Sequence, residues 1–501
     1  MVFYIFVRMR FIYRNYDEYI KNVFVFLLKN KSCSSINFYG DFMNRKDKLT
    51  TGSPFKTLLL FSLPMILSVT LQQFYNICDS MIAGKMISDN SLSAVSATYP
   101  ITVVYLAIGV GFGVGANIIT ARFIGQKNYK NAISAIYTSL ITIAVAALVI
   151  SGLGLALLKP LLLMLNVNDA YYDEAFIYLL FYTCGILFLF IYNVVTSLFQ
   201  SLGNSRIPLY LLIFSTALNV LLDILLVNAG MGIKGIALAT FISQAIASVI
   251  SLIILLIYSK KVLNEKGKIF DKRILKTILP IAIPSIIQGS IISIGGVFIQ
   301  SLINSFGPSV TAGYGAAYKI VYVIVNIYTV MSNAISTFTS TNAGASQYDR
   351  IKKGFHSGLL ICGALTIVAT LIFMIMPEPL LSIFGNDNTS KEVVEVGKKF
   401  IYCVAPFYIF LCLKIPCDGV LKGSKDMRSF MIATFADLII RVVLSYILGN
   451  VLPDEYKLYG IFLSWPLGWI VGMAISLSAY KIGRWKRLIG YNDKKNLVVE
   501  E

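Results

Sequence analysis

The sequence contains only one histidine, His356, and only 14% of its 501 residues are charged. A histidine metal cluster needs several histidines, and no second histidine is present to complete a Ser/His/Asp or Cys/His triad. The seven cysteines form no CxxC motif and lie mostly in apolar stretches, a pattern that predicts free thiols instead of disulfides. The chain therefore lacks the parts of most soluble-enzyme chemistries.

Hydrophobic residues, in contrast, are abundant. They make up 57% of the chain, above the roughly 45–50% that is typical of soluble domains. A transmembrane helix needs about 20 apolar residues, so the chain can supply as many as about 12 such helices. The net charge of +18 comes from basic residues in short gaps between apolar stretches, which is typical of cytoplasmic membrane loops and does not predict nucleic-acid binding. The sequence predicts an all-α integral membrane protein that lies in the lipid bilayer.

Long apolar stretches bounded by charged residues predict twelve transmembrane helices. These helices cover residues 57–83, 92–118, 132–158, 171–198, 207–229, 235–258, 277–305, 310–340, 354–376, 400–420, 429–450 and 458–480. We therefore predict five regions: a cytoplasmic N-terminal segment (1–52), an N-terminal six-helix bundle (53–258), a basic cytoplasmic linker (259–276), a C-terminal six-helix bundle (277–480) and a cytoplasmic tail (481–501).

The distribution of lysine and arginine predicts the orientation of the helices. Residues 43–56, the gaps after the even-numbered helices and the tail carry 27 of these residues, whereas the gaps after the odd-numbered helices carry 7. Basic residues in short loops resist translocation, so both termini are predicted to be cytoplasmic. Residues 1–42 fit this pattern poorly, because the apolar run 22–28 is too short to span a bilayer. Two interpretations stay open: an interfacial helix, or translation that begins at Met43.

Three landmarks of the first half recur in the second half at nearly one spacing. The matches are SLPMI at 62–66 with AIPSI at 282–286, GQKNY at 125–129 with GASQY at 344–348, and Gly203 with Gly423. The shifts are 220, 219 and 220 residues, and six helices separate each pair, so an axis near the membrane normal should relate the halves. The sequence thus predicts two pseudo-symmetric six-helix bundles. The repeated glycines are predicted to form turns, at Gly125, Gly203, Gly344 and Gly423.

Ionisable and polar residues inside the apolar helices are the candidate functional residues, because burying them in a membrane is costly. The first half has Asp79 near the end of its first helix and Asp223 in its fifth, and Asn219 lies one turn before Asp223 on the same face. Two carboxylates near one cavity repel each other, so at least one can take up a proton. Carboxylate, amide and hydroxyl oxygens also suit a hard cation such as Na⁺. The set predicts a site where the coupling ion, H⁺ or Na⁺, competes with a cationic substrate.

Charged residues of both signs lie inside the predicted helices of the second half, at Lys319, Lys414, Asp418, Asp437 and Arg441. Lys414 and Asp418 stand four residues apart, as do Asp437 and Arg441, and this spacing predicts intrahelical ion pairs that stabilise the bundle. The cations Lys319, Lys414 and Arg441 also leave open another class of cargo, an anionic lipid-linked saccharide.

Four segments, taken in order, resemble the multidrug and toxic compound extrusion (MATE) transporters, particularly their bacterial DinF-like branch. They are FSLPMILSVTLQQFYNICDSMIAGKM in the first helix, ARFIGQKNYKNA after the second, LFQSLGNSRIPLYLLIFSTALNVLLDILLV through the fifth and GIKGIALATFISQ in the sixth. The resemblance covers about residues 53–485. It implies two six-helix bundles arranged as a V, a central cavity that opens alternately to either side, and export of organic cations driven by entry of H⁺ or Na⁺.

The resemblance also implies roles for individual residues. The family's acidic residue in the first helix corresponds to Asp79, and its Asn and Asp in the fifth helix correspond to Asn219 and Asp223. Thr240 in the sixth helix is predicted to contribute to the same site. Further polar residues are predicted to line the cavity: Gln73, Tyr75, Gln244 and Gln288. Another branch of the family uses a glutamate in the seventh helix, and this sequence has none between Ile274 and Asn304, which argues against ion coupling through the second half.

We therefore predict a secondary active exporter of the bacterial inner membrane that exchanges small organic cations, such as drugs or dyes, for H⁺ or Na⁺. It is predicted to act as a monomer, without a cofactor, without a metal site other than one for Na⁺, and not as an enzyme. A flippase for a lipid-linked anionic saccharide is the alternative within transport. An integral-membrane transferase is the alternative of another class, but it would normally need a large loop domain or a cluster of histidine and carboxylate. A passive channel is opposed by the repeat and by the acids inside the helices.

Overall fold

The computed structural model describes residues 49–82, 86–165, 167–382 and 391–491. The predicted N-terminal segment, residues 1–52, lies almost wholly outside these ranges, so the choice between its two interpretations stays open. Eleven helical segments are long and apolar enough to span a membrane, and a pair of helices bent by 50° completes a twelfth. An all-helical membrane fold with about twelve spans, as the sequence predicts, is confirmed for the described residues.

The spans are numbered here in chain order, with two of them in two parts. They are α1 (Pro54–Ile82), α2 (Asp89–Gly125), α3 (Tyr129–Ala156), α4a (Tyr172–Cys184), α4b (Ile186–Ser201), α5 (Arg206–Leu226), α6 (Ile233–Leu263), α7 (Lys272–Asn304), α8 (Pro308–Gly344), α9 (Tyr348–Ile375), α10a (Lys391–Val404), α10b (Tyr408–Gly423), α11 (Met427–Val451) and α12 (Lys457–Ile482). Short helices Leu158–Met164, Pro377–Ser382 and Arg484–Ile489 lie between or after them.

Several helices are longer than the apolar pattern predicts. Helices α2 and α8 were expected to end at residues 118 and 340, but they continue to Gly125 and Gly344. The next residues to break the helical conformation are Lys127 and Ser346, which have left-handed φ angles of 56° and 57°. Hydropathy marks where a helix leaves the apolar environment, whereas backbone hydrogen bonding continues until the chain turns.

The linker between the halves is shorter than predicted, because α6 and α7 take residues from both of its ends. The remaining residues, 264–271, lie against α3. The backbone N–H of Lys268 donates to Ser134 Oγ at 2.8 Å, and that of Asp271 donates to Thr138 Oγ1 at 2.9 Å. The Asp271 carboxylate caps α7 by accepting from the backbone N–H of Arg273, and this bond lowers the pKa of Asp271.

The same helix contacts occur in both halves. In the first half α2 packs against α4b and α5 packs against α6, and in the second half α8 packs against α10b and α11 packs against α12. Contacts between the halves are also reciprocal, since α2 packs against α7 while α8 packs against α1. The packing therefore has the pseudo-symmetry that the repeat predicts.

Candidate functional site

Helix α5 buries polar residues and exposes apolar ones over its second half. Asn219 and Asp223 are the buried residues between 212 and 226, with 1% and 0% of their surface exposed. Apolar side chains of the same segment, such as Leu221 and Leu225, are exposed. This distribution is the reverse of a water-soluble helix and indicates that α5 faces lipid on one side and places its polar face inside the protein.

Helix α6 completes this polar face. A five-residue π-helical turn, Val227–Met231, connects α5 to α6 and lets the two helices pack against each other. Asn219 Nδ2 lies 3.4 Å from Thr240 Oγ1 and donates to it, and Thr240 is itself only 7% exposed. The structure thus brings together three of the four predicted coupling residues. We call Asn219, Asp223 and Thr240 the polar cluster.

The fourth predicted coupling residue, Asp79, belongs to α1. Its side chain and that of Tyr75 lie outside the described residues. Helix α1 packs against α5, and because successive spans alternate in direction, α1 and α5 run the same way through the bundle. Position 79 is three residues from the last residue of α1, and Asp223 is three residues from the last residue of α5. The two acidic positions are therefore at the same end of neighbouring helices.

A small cavity lies beside the polar cluster, between α4 and α6. Its volume is about 10 Å³, enough for about one water molecule. The lining residues are mostly aromatic and include the predicted cavity residue Gln244; they are Tyr178, Phe181, Tyr182, Gly185, Ala237, Thr240, Phe241 and Gln244. The 50° bend of α4 falls at Gly185, between α4a and α4b. Thr240 thus accepts a hydrogen bond from Asn219 and also lines this cavity.

The remaining predicted residues lie on other helices. Gln73 in α1 and Gln288 in α7 are half-buried, and Lys319 in α8 is exposed. His356 is exposed near the start of α9, as expected for a surface residue. The five cysteines whose side chains the structure describes are free thiols, as the sequence predicts for them.

The predicted ion pairs of the second half are both present. Lys414 Nζ lies 2.7 Å from Asp418 Oδ2, and Arg441 Nη2 lies 2.6 Å from Asp437 Oδ1. Ser476 Oγ also donates to Asp418 Oδ1 at 2.6 Å. Lys414, Asp418 and Asp437 are buried, and such charges are tolerated inside a membrane protein when they are paired.

The sequence predicts two separate ion pairs, whereas the structure places the two pairs next to each other. A Cβ added at Gly472 of α12 would lie 2.8 Å from Lys414 Cε and 2.9 Å from Asp437 Cβ. The absence of a side chain at Gly472 therefore lets α10b and α11 bring their pairs together. We call Lys414, Asp418, Asp437 and Arg441 the charge cluster. The signal in the sequence is the pair Gly468 and Gly472, four residues apart on one face of α12, a spacing typical of close helix packing in membranes.

Lysines and arginines are placed differently in the two halves. In the described helices of the first half, each lysine or arginine lies within four residues of a helix end. In the second half, Lys414 and Arg441 lie well inside α10b and α11. On α5, no lysine or arginine stands within four residues of Asn219 or Asp223 in the sequence, whereas each acid of the charge cluster has one four residues away.

We expect the Lys414→Met variant to be less stable than the wild type by about 3–5 kcal/mol, because it leaves the buried Asp418 carboxylate without its cation. The double variant Lys414→Met/Asp418→Asn should recover most of this loss, since the amide can still accept from Ser476 and no unpaired carboxylate is left at position 418. Denaturant-induced unfolding of the purified proteins in detergent measures both effects. Equal stability of the two variants would contradict a pairwise ionic interaction.

Helices α2 and α8 cross closely where the repeated glycines lie. A Cβ added at Gly125 would overlap the carbonyl oxygen of Thr341, and one added at Gly344 would overlap the carbonyl oxygen of Arg122. These two glycines have negative φ angles, so they serve close packing and do not form the turns that the sequence analysis predicted. Of the four repeated glycines, Gly203 has the left-handed φ of a turn former, 73°. We call the contact of α2 with α8 at Gly125 and Gly344 the glycine crossing.

Polar contacts between the halves surround the glycine crossing. Thr337 Oγ1 donates to Asn117 Oδ1 at 3.0 Å, and Ser340 Oγ donates to the carbonyl oxygen of Ile118 at 2.6 Å. Lys425, in the turn after α10b, lies near Arg122, and burial together with that guanidinium lowers the pKa of Lys425 to about 8. The two halves are therefore joined tightly at this end.

The repeat, the fold and the clusters have counterparts in known proteins. The MatE family model matches the chain twice, over residues 64–225 and 284–447. The two matches start 220 residues apart, which is the spacing of the repeated motifs and confirms the repeat.

Two relatives and one solved structure are similar over nearly their whole lengths. The chain is 24% identical to the probable multidrug resistance protein YpnP of Bacillus subtilis, over 89% of this chain and 99% of that protein. It is also 24% identical to an FAD transporter of Shewanella oneidensis, over 85% of this chain and 94% of that protein. A crystal structure of MATE in complex with MaL6 has the same fold, with a TM-score of 0.83 and 20% identity over 89% of this chain and 99% of that one. Since the family model covers more than half of its residues, the chain belongs to the MatE family, whose members are membrane transporters and not enzymes.

Proposed function

We propose that the protein is a secondary active multidrug exporter that exchanges small organic cations for H⁺ or Na⁺ by alternating access. The observation that carries this proposal is the polar cluster, a buried carboxylate with an amide and a hydroxyl on helices whose other faces are apolar. Burial of an acid in a membrane helix costs free energy unless a cation or proton accompanies it. A site of this kind binds an ion from one side of the membrane and releases it to the other.

The coupling site consists of Asp79, Asn219, Asp223 and Thr240 in this proposal. Two acidic positions at the same end of α1 and α5 let one ion or one substrate cation satisfy the site at a time. Binding of a cationic substrate and of the coupling ion is then mutually exclusive, which is the requirement for exchange. H⁺ is favoured over Na⁺, because a proton needs only one carboxylate oxygen, whereas Na⁺ needs several oxygen ligands at once.

Aromatic residues support an aromatic or lipophilic cation as the substrate. Tyr105 of α2 stacks on Tyr182 of α4a with ring centroids 6.5 Å apart, and Tyr99 of α2 is 55% exposed. Tyr318 stacks on Tyr322 with ring centroids 5.5 Å apart. Faces of such rings attract organic cations, and stacked tyrosines are present in both halves.

The glycine crossing supports alternating access. It joins the halves at the end of the bundle where the repeated α2–α3 and α8–α9 turns lie. Because lysine and arginine are concentrated at this end, it is the cytoplasmic end in our proposal, with both termini on that side of a bacterial plasma membrane. The conformation described here is then closed to the cytoplasm, and export requires the crossing to open. The protein works as a monomer in this scheme.

Ethidium transport by the purified protein in liposomes tests the proposal. A pH gradient and a Na⁺ gradient are imposed in separate experiments; one of them should drive ethidium against its concentration gradient, and the gradient that succeeds names the coupling ion. Protein-free liposomes and an ionophore that collapses the same gradient are the controls. Ethidium movement that is indifferent to both gradients would contradict ion-coupled export.

An anionic substrate is the second candidate, and two observations favour it. Lys319 is an exposed cation inside α8, and one relative bears the name FAD transporter. Against a flippase for an anionic saccharide, Lys414 and Arg441 are already paired with Asp418 and Asp437, so they do not offer free positive charge. Transport of FAD, and not of ethidium, in the same liposomes would favour this candidate.

A further inference from the structure

A pocket with basic walls lies at the end of α9 and α12, away from the polar cluster. Its volume is about 270 Å³, far above the roughly 10–15 Å³ that one water molecule needs. Four residues with basic side chains line it: Lys352, His356, Lys481 and Lys486. No acidic residue is among the described residues that line it, although Asp349 lies 3.8 Å from Lys352 at the surface. The pocket therefore has the charge of an anion-binding site.

Its floor is built by the short helix Arg484–Ile489 that follows α12. Left-handed glycines at both ends of this helix, Gly483 and Gly490, fold it back, and Trp485 is only 2% exposed. Tyr480 stacks on Trp485 with centroids 5.4 Å apart and on Phe355 of α9 at 4.2 Å. This aromatic stack packs the short helix against α9 and α12, and it thereby fixes the spacing of the basic residues.

An apolar strip leads from the pocket along α9. Leu360, Ile367 and Leu371 are 66%, 62% and 53% exposed, and their spacing from His356 places all four residues on one helical face. Ile482, beside Lys481, is 75% exposed. A ligand whose anionic part binds in the pocket therefore has a continuous apolar surface next to it, in the direction of the bilayer interior.

We propose that this pocket binds the phosphate of an anionic phospholipid, with the acyl chains along the Leu360–Leu371 strip. A basic pocket between transmembrane helices suits an anionic lipid headgroup, and each lysine near the membrane surface adds to the attraction. A soluble phosphate compound would use the same basic residues but would gain nothing from the apolar strip. The combination of both features assigns the ligand to the lipid.

Binding of phosphatidylglycerol to the purified full chain tests this inference. We expect native mass spectrometry to detect bound phosphatidylglycerol, and the thermal unfolding temperature in detergent micelles to rise when this lipid is added, because a ligand of the native state stabilises it. The variant Lys352→Gln/Lys481→Gln/Lys486→Gln should bind about 10- to 100-fold more weakly. The matched control Lys260→Gln/Lys266→Gln/Lys272→Gln removes the same charge from the linker region and should bind as the wild type does.

Three outcomes would overturn the proposal. Equal loss of binding in both triple variants would indicate attraction by overall charge and not by this pocket. Displacement of the lipid by inorganic phosphate or glycerol 3-phosphate would indicate a site for a soluble anion. If the triple variant does not fold, Lys481→Gln alone, an exposed position, should still weaken binding measurably, and Leu360→Gln should weaken lipid binding without changing the charge. Unchanged binding in both single variants would also reject the lipid site.

Discussion

The Asp223→Asn variant is expected to lose ion-driven ethidium transport while it keeps the stability of the wild type. Coupling free energies between sites are typically about 1–3 kcal/mol, so the loss should lie between about 5-fold and 150-fold. The amide has nearly the shape of the carboxylate but can neither release a proton nor neutralise a cation. Because it also carries no charge that would need to be desolvated, the unfolding free energy should stay equal or rise. Liposome transport and denaturant unfolding of the same preparation measure the two effects.

A matched change in the second half separates coupling from folding. Asp437→Asn also converts a buried helical aspartate to asparagine, but it leaves the guanidinium of Arg441 without its partner 2.6 Å away. We expect this variant to lose about 3–5 kcal/mol of stability and to retain dependence on the ion gradient for the fraction that folds. If Asp223→Asn lost stability to the same extent, or transported ethidium as the wild type does, Asp223 would not be the coupling acid.

The Gly125→Ala and Gly344→Ala variants are each expected to open the glycine crossing and to lower transport strongly. Each new methyl group would overlap a backbone carbonyl oxygen of the other half, and a backbone atom cannot move aside as a side-chain rotamer can. Overpacking of this kind typically costs about 1–3 kcal/mol. In a molecule that exchanges between two conformations, this free energy destabilises the conformation that is closed at the crossing. The population therefore shifts to the conformation that is open there.

The conformational shift can be measured by chemical labelling. Ser340, buried at the crossing, is changed to cysteine in a background without native cysteines, and its maleimide reaction is followed with and without the glycine substitution. The labelling rate should rise about 5-fold or more, since a shift of about 1 kcal/mol changes a population ratio that much. The control is Gly315→Ala on the same helix α8, where an added Cβ meets no described atom within 4 Å. A similar rise in that control would attribute the effect to helix propensity and not to the crossing.

The helical architecture follows from the sequence because its causes are local. A run of about twenty apolar residues predicts a membrane span, whichever helices that span packs against. The 220-residue repeat predicts the pseudo-symmetry of the two halves directly. Predictions that depend on three-dimensional packing were less complete. The bend of α4 at Gly185 and the break in α10 at Ala405–Phe407 lie inside uniformly apolar stretches, where hydropathy carries no signal.

The candidate site likewise combines residues that the sequence predicts with contacts that depend on three-dimensional packing. Asn219 and Asp223 stand out in the sequence because polar residues inside a membrane helix are rare, and Thr240 was placed by family resemblance alone. The two ion pairs form one charge cluster because Gly472 has no side chain to separate them. This role of Gly472 is apparent only in the packing of α10b, α11 and α12. Gly125 and Gly344 were assigned to turns because they precede polar segments; the actual left-handed residues are Lys127 and Ser346, and non-glycine residues at such angles are not foreseen from composition.

The placement of the cations has a consequence for the response of the protein to the membrane potential. The charge cluster is electrically neutral, since each of its acids carries a base on the same helix. When its helices move through the electric field of the membrane, the cluster does no electrical work, although a single charge crossing the field exchanges about 2.3 kcal/mol per 100 mV. In the proposed exchange, voltage therefore acts on charges outside this cluster, among them the carboxylates of the first half and their cargo. An exchange of one proton for one monovalent organic cation at those carboxylates leaves the net charge of the moving part unchanged, so such transport is electrically silent.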